Sequence, residues 1–282
     1  MIRKYLYSIY KAGYNTIEHD GVEHAGYMAF MNILSLFPFL VFIVALTGFI
    51  GETKFGIDFV KLLLESLPGD FISALKPRIN EIVSGPPHGL LTLSILGAIW
   101  TSSTTVEGLR TILNRIYKVK SPPAYILRRT LSIIQFICLS VIIIFSMFLL
   151  LLMPIIYQKL IAIFGGELQP LLKHFAIFDF LQPVWSFARE SVFLVTLFLI
   201  VSCSYYILPN LKLSYRSVIP GSIVVIILWV LTGTVIASFV DNYTQVSVIY
   251  GSLGGIIISM FFFYIINIIF IYGAELNYLL SK

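Results

Sequence analysis

Between Ser247 and Lys282 the chain reads SVIYGSLGGIIISMFFFYIINIIFIYGAELNYLLSK. It holds about 24 mostly apolar residues without a charge, enough at roughly 1.5 Å per residue to cross a bilayer as one helix. On an ideal helix, Gly251, Gly255, Ser259, Gly273 and Asn277 fall within an arc of about 80°, whereas Ile257, Phe261 and Phe263 point elsewhere. Lipid supplies no hydrophobic drive between helices, so a smooth Gly/Ser face with a G-x-x-x-G at Gly251 and Gly255 is what lets a second backbone approach. The helix is expected to be the packing post of a bundle. The alternative is that these glycines are merely tolerated in a membrane helix.

Composition sets the class. With 58% hydrophobic residues, 12% charged and a mean hydropathy of +0.93, the chain is far from the soluble balance of about a quarter charged. An all-α polytopic membrane protein is expected. Its 282 residues leave little for a soluble domain, so residues 1–282 read as a single six-span bundle with the bilayer as first partner. The net charge of +5 does not point to nucleic acid, because the basic residues cluster in short loops beside the spans. Cys138 and Cys203 both lie in apolar runs and indicate neither a disulfide framework nor a metal site.

Residues 1–20 lack the apolar core and cleavage site of a signal peptide. Ile2, Leu6, Ile9, Gly13 and Ile17 share a helical face, with Arg3, Lys4 and Lys11 to the other sides. Such a helix either lies on an anionic membrane surface or packs on the protein's own loops. The first span is expected over Met28–Ile50, kinked at Pro38. Residues 51–88 form the longest extramembrane segment, with two short amphipathic helices about Pro68-Gly69. In the second span, Gly89–Val106, a further small face of Ser94, Gly97, Ala98, Thr101, Thr105 and Gly108 covers about 100°. Glu107 and Arg110 lie off it, three apart, and pair at the membrane interface. Further spans are expected at Leu131–Ile156, Ser191–Leu208 and Val218–Val240, the last with Gly233 and Ala237 at small-x-x-x-small spacing.

Six spans with the N-terminus inside put twelve of the 19 Lys and Arg residues on inner segments, six of them between Arg110 and Arg129 where no acid intervenes. The positive-inside rule then places both termini in the cytoplasm.

The runs HAGYMAFMNILSLFPFL (His24–Leu40), IWTSSTTVEGLRTILNRIY (Ile99–Tyr117), YYILPNLKLSYRSVIPG (Tyr205–Gly221) and YGSLGGIIISMFFFYIINIIFIYGAELN (Tyr250–Asn277) resemble the bacterial YihY/BrkB family, once catalogued as ribonuclease BN. Their order and spacing match over nearly the whole chain. The resemblance implies a six-span protein of the bacterial inner membrane, for which transport, envelope lipid handling and serum resistance have been proposed. Ser35, Pro38, Trp100, Asn114, Tyr117, Pro209, Pro220, Gly221, Tyr250, Gly251, Gly273 and Glu275 correspond to the family's recurrent positions, whereas His24 and Glu107 do not.

His19, His24, His88 and His174 are scattered and form no H-x-H or H-E-x-x-H, so neither a metal site nor ribonuclease chemistry is expected. No phosphate-cradling G-x-x-x-x-G-K-[ST] occurs, and the Thr101–Thr105 cluster lacks a nearby His. The chain is thus expected to be no enzyme and to need no cofactor. What remains is polar groups near membrane depth: Asn32, Glu107, Arg110, Gln135, Asn267 and Glu275, of which Glu275 is expected to pair with a loop arginine such as Arg115 or Arg128. Two functions fit. One is movement or exposure of an envelope substrate, lipidic or otherwise amphiphilic, along a polar seam between spans two, five and six. The other is a non-transporting scaffold in which the glycine faces build a homo-oligomer.

Overall fold

The structure is a computed structural model that describes residues 2–50, 88–121, 123–166, 177–242 and 254–281. The expected amphipathic helices within 51–87 and the Gly251 position lie outside the described residues. Seven helices are present among these: α1 (Ile2–Glu18), α2 (Gly21–Ile50), α3 (His88–Ile116), α4 (Tyr125–Gly166), α5 (Ile177–Ile207), α6 (Tyr215–Asn242) and α7 (Gly254–Leu280). Among the described residues, the stretches long and apolar enough to cross a membrane are Tyr125–Ser146, Ser186–Ile207, Tyr215–Ser238 and Gly254–Leu280. The sequence regions expected to supply the first two of six spans fall in α2 and α3. Helix α2 runs unbroken through Pro38.

The chain forms two compact units, Met1–Cys138 with Val201–Lys282, and Leu139–Ile200. In the smaller unit, Ser146 Oγ donates to Ile142 O and Thr196 Oγ1 to Val192 O, so each hydroxyl is satisfied on its own helix.

In the larger unit α7 is the central element. It packs on α6, α2 and α1 and also touches α3, while α2 packs along α3. From Ile269 to Asn277 every residue of α7 but Tyr272 is buried, the pattern of a helix covered on nearly all sides. Two glycines make the closest approach. A Cβ on Gly273 would overlap Val225 Cγ2 and come within 2.6 Å of the Tyr205 hydroxyl, and a Cβ on Gly221 would overlap the backbone oxygen of Gly273. Pro220 removes a backbone donor from the same turn of α6. The Asn277 side chain takes up the neighbouring groups: Gly221 N–H donates to its Oδ1 at 2.7 Å, and its Nδ2 donates to Val218 O at 3.1 Å. Carbonyls of α7 are used in the same way, Phe270 O accepting from the Tyr205 hydroxyl and Ile266 O from Trp229 Nε1.

Two helices end on residues in the left-handed region. Asp20 (φ 58°) separates α1 from α2, and Lys118 (φ 55°) ends α3. At the second, Val119 N–H reaches Asn114 O and Lys118 N–H reaches Arg115 O, a Schellman closure that usually carries glycine where Lys118 stands. Asn114 also clasps the α5–α6 connection, donating to Asn210 Oδ1 and accepting from Asn210 N, both at 2.8 Å.

Candidate functional site

The small faces expected from the helical wheel are partly displaced. On α3 Ala98 and Gly108 of the expected face are buried, a Cβ on Gly108 meeting Met28 Sδ at 3.1 Å and Tyr27 at 3.3 Å, while the other buried positions, Ser102, Ser103, Val106 and Arg110, lie about one residue round from it. Gly97 looks into open space, with nothing within 4 Å of a Cβ built there, and Thr101 donates to Gly97 O on its own helix. Thr105 does reach α2, at Met31 O. On α7 Gly254 is buried, while Gly255 and Ser259 are half-buried. The hydroxyls of Ser and Thr can be satisfied by their own helix, and this frees them from the interface that a wheel assigns them.

The polar residues fall into two clusters. In the first, Glu275 on α7 is 1% exposed. Its partners are Asn15 on α1 and His19 in the turn that follows it, not a loop arginine: His19 Nδ1 lies 2.8 Å from Oε1, and Asn15 Nδ2 donates to Oε2 at 3.3 Å. The expected arginine partners are engaged elsewhere, Arg115 with Asp20 and His24, Arg128 with Glu107. The α1 sequence permits this because Ser8, Ala12, Asn15 and Thr16 share its buried face. Their small side chains bring α1 close enough to α7 for His19 to reach the carboxylate.

Glu275 opens onto a cavity of about 300 Å³ that is also lined by His19, His24, Ile112, Arg115 and Lys118. Arg115 can only donate, so at 2.8 Å from His24 Nε2 it fixes the neutral imidazole as acceptor. Burial, reinforced by the Arg115 charge, lowers the His24 pKa, with Asp20 and Glu23 opposing. Behind Glu275 sits Tyr117, whose buried hydroxyl has no hydrogen-bond partner of good geometry. Burial raises its pKa, the neighbouring Asn277 amide acts against that rise, and the Glu275 charge adds to it. Neither His19 nor Asn15 could be paired with Glu275 from the sequence. The only signal available was that an acid in so apolar a helix needs a partner.

In the second cluster Glu107 and Arg110 do pair, at 3.5 Å, and the Glu107 carboxylate also accepts from Ser132 Oγ at 2.6 Å and lies 3.6 Å from Arg128 Nε. Arg110 is fully buried, donating to Arg128 O and Gln135 Oε1, while Gln135 Nε2 donates to Ile207 O. Burial lowers the Arg110 pKa, Glu107 opposing and Arg128 adding, and the guanidinium keeps its charge. Asn267 is apart from both clusters, buried and bonded to Phe263 O on its own helix. Asn32, half-buried on α2, offers its backbone oxygen to Ser35. Among the described residues no group of three or more His, Cys, Asp or Glu side chains is placed to hold a metal ion.

Long apolar helices, polar side chains turned inward and Gly-mediated helix contacts define a membrane protein. Its family follows from comparison: the family model described as Virulence factor BrkB matches residues 13–282, and the chain belongs to that family. It is 31% identical over 265 residues to the ribonuclease-like protein YfkH of Bacillus subtilis (strain 168), covering 94% of this chain and 91% of the relative. It is 24% identical over 283 residues to the UPF0761 membrane protein PSHAa0171 of Pseudoalteromonas translucida (strain TAC 125), covering 94% and 83%. No solved structure matches it.

Proposed function

We propose that the protein is a six-span, non-enzymatic protein of the bacterial inner membrane, with both termini cytoplasmic, that moves or exposes an amphiphilic envelope substrate. The observation that carries this is Glu275, a carboxylate only 1% exposed, beside a cavity of about 300 Å³ near the end of a helix long and apolar enough to cross a membrane. A charged group buried among apolar helices is costly unless it serves a path or a pair. Here the pair, His19, is itself 37% exposed, so the carboxylate is connected to the outside through one side chain. The excess of Lys and Arg on the segments assigned inside supports the orientation.

In this reading the polar head of the substrate enters the cavity against His19, His24, Arg115 and Lys118, while its apolar part stays in lipid beside α6 and α7. The test is movement of a fluorescent lipid between leaflets of proteoliposomes. Replacing Glu275 by Gln, with insertion verified, abolishes movement. Unchanged movement removes Glu275 from the mechanism.

A second reading, a scaffold that assembles with copies of itself, draws on Gly97 and Gly233, where a Cβ would meet nothing within 4 Å. If outward small residues seat another copy, Gly233→Leu and Gly255→Leu dissociate the assembly in mild detergent. An unaltered oligomer counts against it.

A further inference from the structure

The corner where α3 meets the start of α4 is unbalanced in charge. Three arginines converge there: Arg110, fully buried; Arg129, 7% exposed; and Arg128, with a quarter of its side chain exposed. Glu107 is the one carboxylate paired with this group among the described residues, and it serves both Arg110 and Arg128. The other acceptors are neutral. Arg110 donates to Arg128 O and Gln135, and Arg129 donates to Thr104 Oγ1 and Trp100 O with its guanidinium 4.2 Å over the Trp100 ring. Buried charge is tolerated when paired, and guanidinium does not lose its proton. Three cations against one anion therefore leave an excess of positive charge, of which only the Arg128 share reaches solvent.

Two further features point the same way. The Nε–H groups of Arg110 and Arg129 are buried without a hydrogen-bond partner, while Arg128 Nε faces Glu107 Oε1 at 3.6 Å, beyond hydrogen-bond distance. Arg128 and Arg129 also sit in the opening turn of α4, which holds no acid, where the helix dipole is positive and adds to the excess. An anion with several acceptor oxygens would balance this corner, and phosphate matches the guanidinium fork best. Its rim is apolar: Tyr125, Ile126, Leu127 and Trp100 are 62%, 79%, 54% and 54% exposed. A free phosphate would gain nothing from such a rim, whereas the glycerol and upper acyl chains of a lipid would lie on it, and Trp and Tyr are the residues that favour headgroup depth.

We propose that this corner binds an anionic phospholipid, its phosphate held by the part-exposed Arg128 with the buried charges of Arg110 and Arg129 behind it and its chains along Tyr125, Ile126 and Leu127. The site is separate from the Glu275 cavity, and the proposal stands whether or not the protein moves lipid.

The test is native mass spectrometry of the full chain in detergent, titrated with phosphatidylglycerol or phosphatidylcholine. Phosphatidylglycerol is retained about tenfold better, as expected for one charge pair of about 1.4 kcal/mol. Arg128→Gln removes that preference. Glu107→Gln, which takes away the paired acid, strengthens retention, and this opposite sign cannot come from a general loss of fold. Inorganic phosphate at millimolar concentration does not displace the lipid, and Ile126→Ser with Leu127→Ser weakens its retention. Equal retention of the two lipids, or of phosphatidylglycerol by wild type and Arg128→Gln, overturns the proposal. Displacement by inorganic phosphate together with an indifferent Ile126/Leu127 variant overturns the lipid as occupant.

Discussion

Gly221→Ala tests how α6 and α7 are held together. The added Cβ would overlap Gly273 O, a backbone atom inside the most buried stretch of α7, and would stand 2.6 Å from Asn277 Cγ and Nδ2. Neither neighbour can turn away, since one is main chain and the other is fixed by bonds to Gly221 N and Val218 O. Separating the helices enough to admit a methyl group costs about 1–3 kcal/mol as overpacking. Breaking the two Asn277 bonds adds about 0.6 kcal/mol each on the scale measured between membrane helices. Alanine returns about 1 kcal/mol through its better helix propensity. The net expectation is a loss of about 2 kcal/mol.

The same substitution at Gly97 and Gly233, where a Cβ meets nothing within 4 Å, keeps only the propensity gain. The difference between Gly221→Ala and either control is then about 3 kcal/mol, or on the order of 6–12 °C in midpoint at about 2–4 °C per kcal/mol. Thermal unfolding of the purified variants in one detergent, followed by circular dichroism, measures it. A Gly221→Ala protein that melts with its two controls would refute the claim that the α6–α7 contact depends on the missing side chain.

Lys118→Gly raises the melting temperature, because a left-handed φ of 55° costs an L residue about 1–2 kcal/mol that glycine does not bear. Part of the gain is offset by losing the Lys118 ammonium from over the Tyr278 ring, and a lower midpoint would contradict the cap assignment. His24 accepts a hydrogen bond from Arg115 and has a pKa below the ordinary 6.5, so the folded chain resists a proton that the unfolded chain takes up. Its contribution is fully present above about pH 6.5 and is lost as the pH falls through the lowered value. Melting between pH 8 and pH 5 shows this loss, and His24→Gln flattens that part of the profile. Asn114→Ala frees Asn210 on both its donor and acceptor sides, costing about 2 kcal/mol at roughly 1 kcal/mol per bond. Limited proteolysis then cuts near residues 208–213, and an uncut loop refutes the clasp.

Helix class was legible because long uncharged runs admit few folds, and α4 to α7 contain the windows that composition alone would choose. Pairing was less legible. Gly273 stands against α6, but the sequence offered no means of telling that Gly221 would meet it while Gly97 faced outward. Gly273 and Gly97 satisfy the same helical-wheel rule, and the outcome depends on the rotation of one helix against a neighbour distant in sequence. For Glu275 the need for a partner could be read, whereas its identity could not. His19 is 256 positions away, and the arginines that looked available are engaged with Asp20 and Glu107.

Helix α1 carries the point furthest. Its pattern of Ile2, Leu6, Ile9 and Ile17 would put the apolar side inward in a water-soluble protein. Here Leu6, Tyr10, Tyr14 and Ile17 are more than half exposed, and Ser8, Ala12, Asn15 and Thr16 are buried against the rest of the larger unit. The inversion is consistent with two solvents. Lipid can take large apolar groups, so burying them inside gains little, whereas a carboxylate on α7 gains a great deal from Asn15 and His19. Small residues on the inner side then serve as spacers that let those two reach it. On this argument Ala12→Leu, which leaves every polar contact chemically intact, weakens the His19–Glu275 pair by lifting α1 away. Faster hydrogen exchange across α1 in that variant measures the lift, and exchange unchanged from wild type would mean that the spacing of α1 is not set by its small face.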